Sequence, residues 1–471
     1  MARQLIILAG GAGTRLRERL GDLPKPMIPI AGKPLLEHQV ELAKQHGFTD
    51  LIFFVHYRAD LIENHFGDGA KFGVRIRYLL ETEPLGTAGA VLAGFEHLAE
   101  RFVVLYGDTM VNVDLNRIWQ AHEKAHAAAT LLLHPNDHPF DSDLVEINAE
   151  ALVTAFHNRP HVGTIWRQNL VNAGLYVLEK RALTRFQDLV SPVAASPRPS
   201  PPPGERVPDG RVRGQPPGIL DFGKDVFPAL VRAGEKLLGY NSPEFIKDIG
   251  TPARYDKISA QFAAGIVQRS SLTTPQRAVF LDRDGTLIPD KDCLRNTDEL
   301  ELLPGIAEAL HELNLQGWRT VVVTNQPVIA KGFCDEAELQ KIHNKLESLL
   351  GREHAFIDRI YFCPHHPEKG FPGERPELKI ACDCRKPKTG MIQKAVAELN
   401  IDLKQSWLIG DTTTDLQTAK NAGLKSILVR TGSAGRDGKF DAPPDFVCND
   451  LRQAVQIICQ TAAASAAHDN Q

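Results

Sequence analysis

Residues 278–288, reading AVFLDRDGTLI, constrain the fold more than any other part of the chain. Ala278, Val279, Phe280 and Leu281 form an unbroken apolar run, the pattern of a parallel strand buried on both faces. The run ends in Asp282 and Asp284, and Gly285 behind them permits a tight turn. Open α/β sheets place their chemistry at the carboxyl ends of such strands. Backbone groups at a strand tip are also free to meet a phosphate or a metal. An acidic turn without chemistry is the competing reading of Asp-x-Asp alone. The strand before it and the Gly-Thr pair after it weigh against that reading.

With 471 residues the chain has length for two or three domains, and 43% apolar with 24% charged residues is ordinary for a globular protein. The net charge of -4 gives no electrostatic case for nucleic acid or an anionic membrane surface. No apolar run is long enough to span a bilayer. The N-terminal apolar stretch is followed by Gly, Thr and Arg rather than a small-residue cleavage site, so it reads as a first strand and not a signal peptide. Seven cysteines are an odd number, and three of them cluster with histidines. The expectation is a metal site in a reducing cytoplasm rather than a disulfide framework.

Residues 5–8 read as a buried strand running into Ala9-Gly10-Gly11-Ala12-Gly13-Thr14-Arg15-Leu16. Leu16 stands where a dinucleotide fingerprint needs its third glycine, and no Gly-Lys-Ser/Thr follows for a Walker A loop. What remains is a glycine-rich turn whose backbone N–H groups can face phosphates, with Arg15 adding a guanidinium fork. Lys25 follows, held between Pro24 and Pro26. Strand and helix patterns then alternate to about residue 262, which argues for a Rossmann-like mixed sheet.

Residues 8–16 together with Pro24-Lys25-Pro26-Met27 and Ala31-Gly32-Lys33-Pro34 resemble the sugar-1-phosphate nucleotidyltransferases. Further segments match in that family's order. Residues 83–90 (EPLGTAGA) look like the segment bordering base and ribose, 102–109 like a strand ending at Asp108, 172–176 (NAGLY) like the sugar-phosphate turn, and 245–252 like the segment carrying the second metal carboxylate, Asp248. The resemblance implies that Leu8, Ala9, Gly10, Gly11, Gly13, Thr14, Arg15, Lys25, Gly86, Thr87 and Asp108 bind the nucleotide. It implies that Asp108 and Asp248 hold Mg²⁺, that Arg15 and Lys25 serve the transfer, and that Arg159, Asn172 and Gly174 meet the sugar phosphate. The implied reaction is attack of a sugar-phosphate oxygen on the α-phosphorus of a nucleoside triphosphate, with pyrophosphate leaving. Such chemistry asks a protein to position two polyanions and neutralise the transferred group.

Two segments depart from the pattern. Where the family carries Glu-Lys-Pro, this chain has Phe156-His157-Asn158-Arg159-Pro160, and Arg159 keeps the charge but not the geometry. The sugar-facing segment reads Asp141-Ser142-Asp143-Leu144-Val145-Glu146 in place of Tyr-Gly-Val-Val, which leaves the sugar open. Residues 191–218 are rich in Pro, Arg and Gly and read as a flexible surface insertion or a Pro-rich ligand for a partner. The expected domains are 1–262 and 276–462, with a linker at 263–275 and a disordered tail at 463–471.

Past Asp282 come a helical pattern at 306–315, a strand ending in Thr324-Asn325-Gln326, then Cys384-Arg385-Lys386-Pro387 and a strand entering Gly410-Asp411-Thr412-Thr413-Thr414-Asp415. This order resembles the haloacid dehalogenase-type phosphatases and implies a second three-layer αβα domain with a parallel sheet. In that chemistry Asp282 attacks phosphorus, and Asp284 protonates the leaving oxygen and then activates water. Asp282, the Asp284 carbonyl and Asp411 bind Mg²⁺, while Thr324 and Lys386 steady the equatorial oxygens. Asp290, Asn325, Gln326, Arg385 and Lys386 are expected to face substrate.

Cys363-Pro364-His365 and Cys382-Asp383-Cys384 offer three thiolates and one imidazole, a set that suits a closed, structural zinc site stapling the loop 366–381. His366 is the competing ligand, and unliganded surface thiols are the plain alternative. Cys293, Cys334, Cys448 and Cys459 have no such spacing. D-R-D-G-T, T-N-Q, C-P-H-H-P, C-x-C-R-K-P-x-x-G-M and G-D together resemble the D-glycero-D-manno-heptose 1,7-bisphosphate 7-phosphatases over nearly all of 276–460. The histidinol-phosphate phosphatases share much of the pattern. Pro327-Val328-Ile329-Ala330-Lys331-Gly332 departs from the usual Ser-Gly-Ile-Ala-Arg-Gly near the substrate.

Two such domains on one chain suggest consecutive steps. The second would remove the 7-phosphate, and the first, most similar to heptose 1-phosphate guanylyltransferases, would join the remaining 1-phosphate to a nucleotide, with GTP favoured. The product would be a GDP-heptose precursor of lipopolysaccharide, capsule or S-layer glycan, made in the cytoplasm. Both halves would need Mg²⁺, and the first could mediate a homo-oligomer. The alternatives are mannose or glucose 1-phosphate for the first half, histidinol phosphate or another small phosphomonoester for the second, and a non-catalytic nucleotide-sugar sensor in place of a transferase.

Overall fold

The computed structural model describes residues 3–11, 13–16, 19, 21–161, 165–190, 219–291 and 293–468. The expected insertion 191–218 lies outside the described residues. By their contacts the residues fall into two compact units.

The first unit comprises 1–133, 145–158 and 172–271 and is built on a nine-stranded mixed sheet. Arg101–Tyr106, Arg3–Leu8, Phe48–Val55 and Arg75–Leu80 run parallel and adjacent in that order. Val171–Glu179 joins antiparallel to Arg101–Tyr106, which makes the sheet mixed as expected. Leu5, Ile7, Leu51, Phe53, Val103 and Leu105 point into one core, and their neighbours Ile6, Ile52, Phe54 and Val104 are equally buried on the other face. Burial on both faces is why these strands read as continuous apolar runs. A separate antiparallel ribbon pairs Thr109–Asn112 with Phe245–Asp248, setting Asp248 opposite Thr109 and hence beside Asp108.

The second unit comprises 134–144, 159–171 and 272–471. Its sheet has six strands in the order Arg359–Cys363, Arg319–Asn325, Ala278–Leu281, Trp407–Gly410, Lys425–Val429, Phe446–Cys448, every pair parallel. Val279, Leu281 and Val322 enter one core while Ala278, Phe280, Val321 and Val323 enter the other, so helices cover both faces. Chain order reverses at Ala278–Leu281. Asp282 therefore stands at the switch point where such sheets open a crevice.

Three expectations about chain organisation need correction. Residues 263–275 are not an extended linker. They carry the helix Ile266–Arg269, and Val267 is buried in a core with Leu16, Ile28 and Phe245. Of the expected tail 463–471, residues 463–468 continue the helix Leu451–His468, and 469–471 lie outside the described residues. Residues 134–144 and 159–171 group with the second unit rather than the first. There the Asn169 N–H donates to Glu347 Oε2 at 3.0 Å, and the Arg352 guanidinium lies 5.2 Å from the Trp166 ring centre. Among the described residues no helix is long and apolar enough to cross a membrane.

Burial pushes the Glu347 carboxyl up to about 7, opposed by the Asn169 N–H and the Arg359 charge. A carboxyl whose pKa is raised by folding favours the folded state fully only below its unfolded value, and that contribution fades as pH climbs through 7. Glu347→Gln keeps an acceptor for Asn169. Its melting temperature should match wild type at pH 4.5 and exceed it by about 2–4 °C at pH 8, by scanning fluorimetry across that range.

Candidate active sites

In the second unit the first strand ends at Asp282, and its neighbour Trp407–Gly410 ends at Asp411. The helix Thr413–Ala422 starts immediately after, through a reciprocal cap. Thr412 accepts from the Asp415 N–H, and Asp415 Oδ2 accepts from the Thr412 N–H. That cap buries Asp415 completely and turns its other oxygen toward Lys386 Nζ, 2.6 Å away. Lys386 Nζ also lies 2.9 Å from Asp282 Oδ1. Burial alone would lower the lysine's pKa, but the Asp282 and Asp415 charges override it and raise it. Asn325 fixes the lysine's backbone from both sides, donating from Nδ2 to Lys386 O and accepting from Lys386 N.

Asp282, Asp411 and Asp415 each present an oxygen within 4.8 Å of the others. Burial first, then the Asp415 charge, pushes Asp282 up to about 8 against the pull of Lys386. Burial likewise raises Asp411 to about 6, although the Ser433 N–H counters it. Asp411 Oδ1 is buried with no hydrogen-bond partner, while Oδ2 accepts from Ser433 N at 2.6 Å. An orphaned carboxylate oxygen among acids is the chemistry of a hard-cation site, so these residues fit Mg²⁺. The Asp284 carboxylate is not among the three. Arg283 holds it, which leaves Asp284 its backbone carbonyl for the ion. At Gly285, φ is 76°, and an added Cβ would collide with the Asp411 carboxylate.

A cavity of about 210 Å³ opens on this cluster, lined among others by Asp284, Asp290, Thr324, Asn325, Gln326, Arg385 and Lys386. Each side chain expected to face substrate is therefore on its wall. Asn325, though, has its amide engaged with the Lys386 backbone. Beside the cavity, His365 Nδ1 lies 3.2 Å from Cys384 Sγ, which lies 3.2 Å from Cys363 Sγ and 3.3 Å from Cys382 Sγ. Ligands about 2.0–2.3 Å from one tetrahedral ion stand roughly 3.3–3.8 Å apart, so the group fits zinc. His366 is not in it, and its Nδ1 faces Glu368 O.

In the first unit the strand Arg3–Leu8 ends in the glycine turn, where Gly11, Thr14 and Arg15 are exposed. Ala9 N donates to Phe54 O and Gly107 N to Leu8 O, which ties the turn to the sheet. Gly10 lies close to Glu81 and His56, and the Lys25 N–H donates to Gly11 O. Lys25 Nζ is 2.5 Å from Asp108 Oδ2, and Arg254 Nη1 is 2.7 Å from both Asp248 oxygens. An added Cβ at Gly250 would lie 2.5 Å from Asp248 and 3.8 Å from Arg15 Nη2, so Arg15, Asp248 and Arg254 share one corner. Gly86 opens the helix Gly86–Ala93 at φ 79°, where Leu220 O leaves no room for a side chain. Thr87 donates to Asp221 Oδ2 at 2.8 Å and accepts from Phe222 N. Gly174 lies against the Tyr106 ring, and Asn172 Oδ1 accepts from Gly174 N. Arg159 is in the second unit, donating to Asp141 O at 2.8 Å, with its N–H on Asp143.

Residues 4–197 match the Nucleotidyl transferase family, and 383–454 match the HAD-hydrolase-like family. A protein of Haemophilus ducreyi named D-glycero-beta-D-manno-heptose-1,7-bisphosphate 7-phosphatase is 40% identical over 186 residues, 39% of this chain and 98% of that protein. The chain belongs to that phosphatase family. It carries in addition a nucleotidyl transferase domain ahead of the phosphatase domain. Two solved structures are also similar. HddC from Yersinia pseudotuberculosis is 24% identical with TM-score 0.43 over 55% of this chain and 99% of its own. The D,D-heptose 1,7-bisphosphate phosphatase from B. bronchiseptica is 33% identical with TM-score 0.35 over 40% and 99%.

Sequence reasoning named Asp415 as an acid at the strand's end without giving it a role, and missed three side chains that this family member brings into place: Arg283, Asp221 and Arg254. Asp415 alone left a trace, as an acid three residues after a threonine at a helix start. Elemental analysis should find one zinc per chain, and Cys384→Ser should lose it. Because Lys386 is two residues from Cys384, that variant should also lose about tenfold or more in phosphatase kcat by phosphate-release assay.

Proposed function

We propose that the second unit hydrolyses the 7-phosphate of D-glycero-D-manno-heptose 1,7-bisphosphate and that the first then transfers a nucleotidyl group, GTP favoured, to the remaining 1-phosphate. The observation that carries this reading is the Asp282–Lys386–Asp411–Asp415 cluster, placed at the sheet's switch point in a domain 40% identical to 98% of a phosphatase named for that substrate.

Asp282 is the nucleophile, its oxygen set beside Lys386, whose charge steadies the equatorial phosphoryl oxygens. Thr324, whose Oγ1 lies 3.5 Å from Asp284 Oδ2, offers its hydroxyl to the same oxygens. Asp284 protonates the departing sugar oxygen and then takes the proton of the attacking water. Asp282, Asp411 and the Asp284 carbonyl would hold Mg²⁺, which would supply charge neutralisation for the phosphoryl group. Asp290, Gln326 and Arg385 line the space the sugar and its second phosphate would fill. In the first unit, Asp108 and Asp248 would hold Mg²⁺. Lys25 and Arg15 lie close enough to these acids to turn their charge onto the triphosphate. Gly86 and Thr87 border the base and ribose, and Asn172 and Gly174 the sugar phosphate.

³¹P NMR of the protein with Mg²⁺, GTP and each anomer of the heptose bisphosphate tests both steps. Orthophosphate, pyrophosphate and a GDP-sugar doublet should appear in wild type. Asp282→Asn should stall at the bisphosphate, and Lys25→Ala should stop at the 1-phosphate with the rate of transfer down about 10²-fold or more. Orthophosphate without pyrophosphate, across all four nucleoside triphosphates, would overturn the transferase half. No orthophosphate from either anomer would overturn the heptose half and direct attention to histidinol phosphate.

A further inference from the structure

Arg283 is the bulkiest side chain fully enclosed among the described residues, at 1% exposure, and the proposed reaction gives it no part. A buried guanidinium is tolerated only when its donors are met. Here Nε donates to Asp284 Oδ2 at 3.2 Å and Nη2 to Asp284 Oδ1 at 3.0 Å, a two-pronged fork on one carboxylate. Nη2 also donates to Gln326 Oε1 at 2.8 Å, and Nη1 meets His343 Nε2 at 3.3 Å. Gln326 closes the ring by donating from Nε2 to Asp284 Oδ2 at 2.7 Å. His343 is 3% exposed on the helix Glu336–Arg352. Burial, then the Arg283 charge, holds its pKa well below the usual imidazole range, so a neutral ring remains to accept from the guanidinium. The Arg283 backbone N–H meanwhile donates to Asp282 Oδ1 at 2.7 Å.

We propose that Arg283 is a positioning residue of the phosphatase, whose guanidinium, braced by Gln326 and His343, aims the Asp284 carboxyl at the leaving oxygen and at the hydrolytic water. The proposal rests on the reading of Asp282 as nucleophile and Asp284 as acid and base. In the first half of that reaction an Asp282 oxygen bonds to phosphorus, the bond to the leaving oxygen breaks, and the Asp284 proton goes to that oxygen. In the second half water bonds to phosphorus and gives a proton to Asp284, the bond to Asp282 breaks, and orthophosphate leaves. A carboxyl that wanders fails in both halves, and an alkyl leaving group exposes both failures. Nitrophenolate departs without a proton, so p-nitrophenyl phosphate isolates the second half.

The experiment is stopped-flow and steady-state hydrolysis of p-nitrophenyl phosphate and β-glycerophosphate by the full chain with Mg²⁺. Wild type is compared with Asp282→Asn, Asp284→Asn, Arg283→Met and Arg283→Lys. The lysine variant keeps a buried cation against Asp284 but lacks the fork, so it carries the test if the methionine variant does not fold. Both Arg283 variants should behave as weakened copies of Asp284→Asn. Each should give a nitrophenolate burst approaching one per chain, then turnover about 10²-fold below wild type with KM lowered alongside it, because the slowed step follows the covalent intermediate. β-Glycerophosphate should show a similar loss and no burst. Equal losses on both substrates with raised KM and no burst, while Asp284→Asn still bursts, would reduce Arg283 to a structural part and overturn the proposal. Activity retained in Asp282→Asn, or no burst in Asp284→Asn, would overturn the underlying mechanism and the proposal with it.

Discussion

Carboxylates crowd the C-terminal edge of the second sheet against an enclosed lysine. Asp282, Asp411 and Asp415 come within 4.8 Å of one another, and Lys386 is buried among them as a counter-charge. Taking such an excess of negative charge out of water is unfavourable unless other charge arrives. The surroundings are organised to hold it regardless. Two parallel strands deliver Asp282 and Asp411 side by side, a helix cap fixes Asp415, and the Asn325 amide clamps the backbone that carries the lysine. A site held this way suits the divalent cation and phosphoryl group of the proposed reaction, because both would complete a balance that the polypeptide leaves open.

The first unit solves the same problem differently. Asp108 and Asp248 each have a cation of the chain against them, Lys25 and Arg254. Charge there is matched pair by pair, and it lies at the junction of the glycine turn and a short ribbon rather than deep in a crevice. Long flexible cations can swing between an acid and a polyphosphate, which suits a reaction whose substrates are themselves the largest charges present.

How much of this could be read from sequence depended on whether the signal was local. The strand 278–281 and the acids behind it were legible because burial on both faces forces an unbroken apolar run and because the chemistry comes within three residues of its end. The clustering of the cysteine and histidine pairs was legible because two short-spaced pairs of soft donors are the pattern a tetrahedral ion would require. Arg283 was hidden for the opposite reason. A charged residue inside a motif gives no sign that Gln326 and His343, 43 and 60 positions away, will enclose it. The helix at 266–269 and the grouping of 159–171 with the second unit were equally invisible, since both are set by what the segment meets rather than by what it contains. The Arg254–Asp248 pair depends on the turn between them, which propensity alone does not specify.

Asp415 serves two masters with a single side chain. Its Oδ2 starts a helix and its Oδ1 faces Lys386 of the proposed reaction centre. Any replacement must satisfy a folding requirement and a chemical one in the same atomic positions. Amide or hydroxyl substitutes could cap the helix but would strip the lysine of a partner, and a longer acid would keep the charge but misplace the cap. For an evolving lineage the position offers no gradual path.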